Sequence, residues 1–410
     1  MRLALKAKCI IFNKRNPIYD SAIIVNNEKI EKILPNKEVN TKTYKVINLE
    51  NCVLSPGFIN AHIHLELGWI KREILPSNSF TDWLSQIIEI KKRGYRKKEV
   101  IASTKNALIE SINSGVTTVG EISSYDGADL NEIEKSAIRT VYFLEISNST
   151  ISRMKSVFLQ ELIKRSQKND MFNLRLFPHS IYSLDTKLLK EIFDISKEKK
   201  IKLGIHLSES TDEVRLISNK KNNFTDFIFP NLPKPTKIES KKDSPLLYIE
   251  NLNKRNIFNT LVHMNNLSNR DLKLISRKNL PIVLCPRSNL FLNQKLPNLN
   301  FFLKYEKVGL GTDGLSSNFS INFLDEIKFL YLNSKEFIKK DCEKIVLQKA
   351  TLGGAKALGI DKTVGSIKIN KKADIVAFKM KNSNPYMSII DSNKNDLVMS
   401  MINGSIVRLR

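Results

Sequence analysis

Apolar and polar positions change period several times along the chain. Near the N-terminus the apolar residues come in short runs parted by polar pairs. Ala22-Ile23-Ile24-Val25 is followed by Asn26-Asn27 and then by Lys29-Ile30-Glu31-Lys32-Ile33. Such runs, bounded by turn residues, predict strands. The C-terminus has the same texture. Residues 373–378 read as a strand, and 398–402 and 405–409 flank Asn403-Gly404, a strong hairpin signal. Domain ends commonly lie close together. The two β-rich ends, residues 1–52 and 365–410, are therefore expected to form one small β-sandwich domain.

Between them, apolar strand-like runs alternate with helical patterns. Eight candidate strands end near His64, Ile122, Ile146, His179, Ser208, Met264, Cys285 and Asp313. Helical periodicity falls between most of them, at 99–114, 153–167, 186–199 and 268–277. A long β/α alternation argues for a parallel sheet. Eight units over about 260 residues match a closed TIM-type (β/α)₈ barrel. The expected fold is thus α/β, with the barrel over residues 53–364; an open doubly wound sheet is the alternative.

A length of 410 residues with 41% hydrophobic and 26% charged residues fits a folded chain of this size. The excess of 66 Lys and Arg over 42 Asp and Glu gives a net charge of +24. These cations are spread along the chain. The densest stretch, Lys91-Lys92-Arg93-Gly94-Tyr95-Arg96-Lys97-Lys98, lies between Glu89 and Glu99. No nucleic-acid module accompanies it. The charge reads as a solvated, Lys-rich surface, and no nucleic-acid partner is expected. Cys9, Cys52, Cys285 and Cys342 lie far apart, as reduced thiols of a cytoplasmic protein do. The N-terminal apolar stretch is too short and Lys-interrupted for a signal peptide. No run reaches membrane-spanning length, so no membrane partner is expected.

Five histidines occur, and they fall where strands are expected to end. His62 and His64 close the run Pro56-Gly57-Phe58-Ile59-Asn60-Ala61-His62-Ile63-His64. On a strand, residues two apart point to the same side. Both imidazoles can then face the barrel interior at the rim where barrel enzymes build their sites. Imidazole suits zinc or iron. Alone, such a pair is a weak signal, since core and surface histidines are commoner. Other residues add to it. His206 ends Lys202-Leu203-Gly204-Ile205-His206, with Glu209 three residues on. His263 ends Thr260-Leu261-Val262-His263, and Asp313 closes Val308-Gly309-Leu310-Gly311-Thr312-Asp313. Packing alone does not explain four such groups converging on one rim.

Together these motifs resemble the amidohydrolase superfamily, in its deaminase and chlorohydrolase branch. The resemblance spans nearly the whole chain. It rests on PGFINAHIH (56–64), PHSIYS (178–183), HLSE (206–209), LVH (261–263), CPRSN (285–289), GTDGLSSN (311–318) and ATLGGAKALG (350–359). It implies a barrel flanked by a β-sandwich from both termini. Binuclear members carry a carbamylated lysine on the fourth strand, here 173–179, which holds none. The resemblance therefore implies one divalent metal, zinc or alternatively iron, held by His62, His64, His206 and Asp313.

The same resemblance implies roles for the other residues. Asp313 accepts a proton from the attacking water, and His263 orients that water and stabilises developing charge. Glu209 protonates the ring nitrogen beside the attacked carbon. His179 is expected to contact substrate, with a strand-end cap as the plainer alternative. Glu66 and Glu121 are candidate substrate or supporting carboxylates, each equally readable as structural. Trp83 is expected to pack the first lid helix. The stretches HIHLEL, GEISSYDG and CPRSN look most like a branch acting on 6-aminodeoxyfutalosine, an adenine nucleoside of a menaquinone route. Lys92 stands where nucleoside-specific relatives carry a ribose-binding carboxylate; it or Arg287 could meet a substrate carboxylate. Alternatives are S-adenosylhomocysteine, methylthioadenosine or adenosine deamination, other ring deamination or dechlorination, and an idle barrel binding an acidic partner. The expected partner is a purine nucleoside, with a homodimer as one option.

Overall fold

The computed structural model describes residues 2–410 apart from 14, 233, 241 and 254–257. Four strands open the chain: β1 (Arg2–Ile10), β2 (Ile18–Asn26), β3 (Lys29–Pro35) and β4 (Lys45–Pro56). Eight follow: β5 (Phe58–Ile63), β6 (Val116–Ser123), β7 (Arg139–Ile146), β8 (Phe172–Pro178), β9 (Leu203–Leu207), β10 (Phe258–His263), β11 (Ile282–Leu284) and β12 (Val308–Leu310). Three close it: β13 (Ile375–Lys379), β14 (Leu397–Ile402) and β15 (Ser405–Leu409).

The two ends meet in one seven-stranded mixed sheet, ordered β15-β14-β13-β4-β1-β2-β3. The join is antiparallel, with Ile375 opposite Pro56 and Lys379 opposite Cys52. Leu5, Ile23, Leu54, Ile375 and Met399 share its apolar core. The hairpin at Asn403-Gly404 has positive φ at both residues, 50° and 77°. Those values suit the twist of a two-residue turn and explain why Asn and Gly stand there.

Strands β5 to β12 close a parallel barrel, sealed where Leu310 of β12 pairs with Asn60 of β5. Strands β5, β6 and β7 are buried along their whole length, as sheet covered on both faces must be. Inside, Ile59, Ala61, Phe143, Phe177, Val262 and Val283 form the core beneath the rim. A buried bidentate pair, Arg139 Nε and Nη2 to the Asp374 carboxylate at 3.0 and 3.3 Å, ties the barrel to the terminal sheet.

The helices at 99–114, 186–199 and 268–277 match Lys97–Asn113, Thr186–Glu198 and Asn269–Lys278 closely. The one expected over 153–167 starts later, at Val157. Ser147 and Thr150 make a capping box that winds Asn148–Lys155 as a tight 3₁₀ segment. Ser156 then caps the α-helix, its Oγ accepting the Leu159 amide. Between β5 and β6 a further helix, α1 (Phe80–Lys92), precedes α2 (Lys97–Asn113). Ser79 caps α1 by accepting the Asp82 amide, and α1 covers the barrel mouth. Among the described residues no helix is long and apolar enough to cross a membrane. The four cysteines are buried and unpaired.

Candidate metal centre and active site

Each expected site histidine stands at the C-terminal rim of a different barrel strand, apart from the His62 and His64 pair on one. His62 lies on β5 and His64 just after it; His206 is on β9; His263 ends β10; Asp313 follows β12 by three residues. All five are buried. His62 Nε2 is 3.3 Å from His206 Nε2 and 3.5 Å from Asp313 Oδ1, and His64 Nε2 is also 3.5 Å from Asp313 Oδ1. Two overlapping sets result, His62–His64–His206 and His62–His263–Asp313, with donor atoms within 4.8 Å of one another.

This donor set fits a divalent cation. Several lone pairs converge in a buried space, an arrangement that favours a shared positive charge. The Nε2 atoms of His62, His64 and His206 face the cluster, and the buried Nδ1 atoms of His62 and His64 have no partner. The aspartate is held from behind. Ser288 Oγ donates to Asp313 Oδ2 at 2.6 Å, and the Gly314 amide donates to Oδ1 at 2.9 Å. Burial drives His64 down to about 3 and His263 to about 4, and holds His206 well below the ordinary imidazole value. Uncharged rings are what metal ligation needs. Burial alone would raise Asp313, but the hydrogen bond and charge of His62, with His64 and His263, keep it well below the usual carboxylate range.

Beside the cluster, His263 Nε2 lies 3.4 Å from Glu209 Oε1. His263 Nδ1 is 3.3 Å from Asn289 Oδ1, and Asn289 in turn donates to Asn265 at 2.7 Å. Glu209 carries a carboxyl pushed well above its ordinary value by burial, then by the Asp313 and Glu213 charges. Its main chain is clamped. Glu213 accepts the Ser208 and Glu209 amides, and Asn265 and Asn266 donate to the Glu209 carbonyl. The rim is also strained: Ser208, His263, Met264 and Asp313 all have φ between 54° and 76°. For residues other than glycine such conformations cost roughly 1–3 kcal/mol each and cluster at functional sites.

A narrow cavity of about 40 Å³ lies over these groups, room for only one or two waters. Trp83, Leu84, Ile87 and Lys91 of α1 form its roof; His179, Tyr182 and Glu145 line its side. A nucleoside does not fit this space as its walls stand. Trp83 donates Nε1–H to the Ser316 carbonyl at 2.7 Å, latching α1 to the loop after Asp313. The Nδ1 side of His179 is held by the Ser180 and Ser183 hydroxyls at 2.9 and 3.2 Å, and the ring packs edge-on to His206.

Glu66 and Glu121 are buried outside this lining. Glu66 accepts the Ser124 and Tyr125 amides at 2.6 and 3.2 Å; Glu121 accepts the Leu65 amide at 3.0 Å. Both carboxylates fasten the loop after β5 to the end of β6. Lys92 turns outward to an exposed pair with Glu89 at 2.7 Å. Arg287 donates to the Ser320 carbonyl at 3.1 Å and lines a neighbouring cavity of about 620 Å³.

The sequence reading passed over three residues here. Glu145 is the penultimate residue of β7, where a rim carboxylate stands out as much as Glu121 does. Lys91 lies in the basic stretch that reads as solvated surface. Glu213 lies four residues beyond Glu209, in the helix Thr211–Ile217. Although burial works against it, the charges of Lys91, His179, His64 and Arg153 bring Glu145 down to about 2.

Comparison with known proteins agrees with this geometry. A profile of the amidohydrolase family matches residues 53–407. An aminodeoxyfutalosine deaminase of Nitratiruptor sp. is 28% identical over 381 residues, covering 90% of this chain and 87% of the relative. An adenosine deaminase of Helicobacter pylori is 29% identical over 377 residues, 89% of each chain. The crystal structure of Helicobacter pylori aminofutalosine deaminase in complex with methylthio-coformycin superposes with a TM-score of 0.84 at 26% identity, over 98% of this chain and 99% of that one. The chain belongs to the amidohydrolase family. Within it, this is an aminohydrolase, the class its deaminase relatives share.

Proposed function

We propose that the protein hydrolyses the 6-amino group of an adenine nucleoside, releasing ammonia, and that its substrate is 6-aminodeoxyfutalosine, which becomes futalosine on the way to menaquinone. The observation that carries the reaction is the buried Glu209–His263 pair beside the four-ligand cluster. His62, His64, His206 and Asp313 would hold the metal, and zinc suits three imidazoles and a carboxylate. When bound, such an ion lowers the pKa of a water to about 7 and so supplies a nucleophile at neutral pH.

The chain's own groups do the rest. Asp313, ionised and braced by Ser288, is the base for the attacking water. Glu209, kept protonated by burial, donates to the ring nitrogen beside the attacked carbon; the proton that Asp313 took from water then goes to the leaving amine, and the proton of the added hydroxyl returns to Glu209 as ammonia departs. His263, uncharged and positioned by Asn289, donates or accepts at the attacking oxygen. His179 meets the nucleoside from the opposite wall.

The choice of 6-aminodeoxyfutalosine rests on the Nitratiruptor relative, on the 26% identical solved structure, and on Lys91. That lysine puts a cation in the cavity wall where the benzoate of the substrate could be met. One observation favours a second reading. Glu145 beside Lys91 is a ready acceptor for ribose hydroxyls, which suits adenosine or a 5′-substituted adenosine. Ammonia release by zinc-loaded protein from 6-aminodeoxyfutalosine, adenosine, methylthioadenosine and S-adenosylhomocysteine distinguishes them, with Glu209→Gln as control. Turnover confined to the first supports the specific reading. Turnover of the others moves the protein to the adenosine type, and none from a metal-loaded preparation overturns the reaction.

A further inference from the structure

The barrel has a second feature at its other end, where the strands begin. A cavity of about 270 Å³ opens there, walled by Arg175 and Asn173 of β8, by Ser166, and by Lys199, Lys200 and Lys202 in the turn before β9. Arg175 is unusual in its setting. Leu174 and Leu176 belong to the layer that packs the helices, whereas Phe177 belongs to the barrel interior. By strand alternation Arg175 therefore faces inward, and it is 1% exposed.

Its hydrogen bonds are incomplete. Nε donates to Asn173 Oδ1 at 3.1 Å and Nη2 to the Leu358 carbonyl at 2.7 Å, but Nη1 has no partner. Among the described residues no carboxylate pairs with it. Burial alone acts on its pKa, bringing it to about 10. A buried guanidinium with no counter-charge is costly to keep, and an unpaired donor adds to that cost. A second cation sits close by. A Cβ placed on Gly359 would lie 3.3 Å from Lys202 Nζ, so both cations converge on the turn at Leu358 and Gly359. Burial and the Arg175 charge hold Lys202 below its ordinary value, and Asp361 offsets only part of this.

We propose that this cavity binds a small oxyanion, a phosphate or carboxylate group on a metabolite, with the Arg175 guanidinium and Lys202 Nζ as its positive charges. An oxyanion supplies the missing counter-charge for the two cations. The site lies four residues down β8 from His179, roughly 13 Å at strand rise, and shares no lining residue with the catalytic cavity.

The test is calorimetric titration of the metal-loaded protein with inorganic phosphate, glycerol 3-phosphate and succinate at constant ionic strength, with melting curves in parallel. Saturable binding of at least one is expected, with a rise in Tm; phosphate against succinate tells which oxyanion is preferred. Lys202→Gln should weaken binding about tenfold, the loss of one charge-assisted contact. Arg175→Met should abolish it, yet melt no lower than wild type without anion, because the uncompensated cation is gone. Should Arg175→Met not fold, Lys202→Gln decides. Absence of saturable binding by all three anions, or binding that survives Lys202→Gln unchanged, overturns the proposal.

Discussion

Glu213 grips the main chain of Glu209: its carboxylate oxygens accept the Ser208 and Glu209 amides at 3.0 and 2.8 Å. This clamp sets where the Glu209 side chain starts, at a point where Ser208 is held at positive φ. Glu213→Gln keeps the shape but replaces one acceptor by a donor. Loss of such an outer contact typically costs 10–100-fold, so kcat should fall by about tenfold or more with KM little changed. Glu209→Gln, which removes the proposed acid itself, should lower kcat by roughly 10²–10⁴. Steady-state kinetics on the two variants compare them directly. Equal effects from both would mean that Glu213 does more than position.

The Trp83–Ser316 latch makes a second expectation. Trp83→Phe keeps an aromatic roof and deletes the 2.7 Å hydrogen bond. The lid helix should then open more readily. Hydrogen exchange across α1 should quicken, and kcat and KM should change together, as hinge and lid variants do. An unchanged exchange rate would place the closing force in the apolar contacts of Phe80, Leu84 and Ile87.

Lys91 and Glu145 bear on specificity. Glu145 is ionised at any ordinary pH because Lys91, His179, His64 and Arg153 outweigh its burial. If Lys91 meets a substrate carboxylate, Lys91→Met should raise KM for 6-aminodeoxyfutalosine about tenfold more than for adenosine. Glu145→Gln should instead penalise the substrates whose ribose hydroxyls it accepts. Parallel KM measurements on both substrates check the pair.

Removal of the metal should be visible in stability as well as in rate. The proposed ligand cluster gathers Asp313 and three buried imidazoles. A ligand that binds only the folded state stabilises it by mass action. Chelator should therefore lower Tm, and readdition of zinc should restore it. His206→Ala should remove most of that difference.

Lys349 gives the pH dependence a defined sign. It is buried under Tyr305, whose carbonyl accepts its Nζ–H, and burial lowers its pKa to about 7. In the unfolded chain a lysine titrates near 10.4. Between those values the unfolded form binds the extra proton, so stability rises with pH across that window. Below pH 7 both forms are charged and the penalty is constant. Tm of wild type should gain on that of Lys349→Met as pH rises from 7 toward 10.

Much of this was readable in the sequence because function is packed into strand ends. The five histidines each close an apolar run, and such runs are short, bounded and hard to misplace. Lys91 escaped notice for a different reason. On a helix adjacent residues point about 100° apart, so Lys91 can reach the cavity while Lys92 meets Glu89 in solvent. Which of the two faces inward depends on how α1 lies across the mouth, and composition does not encode that. Glu66 and Glu121 illustrate the reverse. A rim carboxylate can serve a loop's amides as well as a ligand, and only the hydrogen bonds distinguish the two.

The terminal sheet has a consequence for how the chain is made. Strand β4 can pair with β1 early in synthesis, since the two are close in sequence, but its other edge waits for β13, beyond the whole barrel in sequence. Until then the ribosome carries an open strand edge, the kind that invites wrong partners during folding. Asp374, just ahead of β13, also anchors Arg139 of the barrel. The segment from Asp374 through β13 thus closes the edge and secures the domain together, and a ribosome that stalls shortly before it leaves the barrel with its seam unsewn.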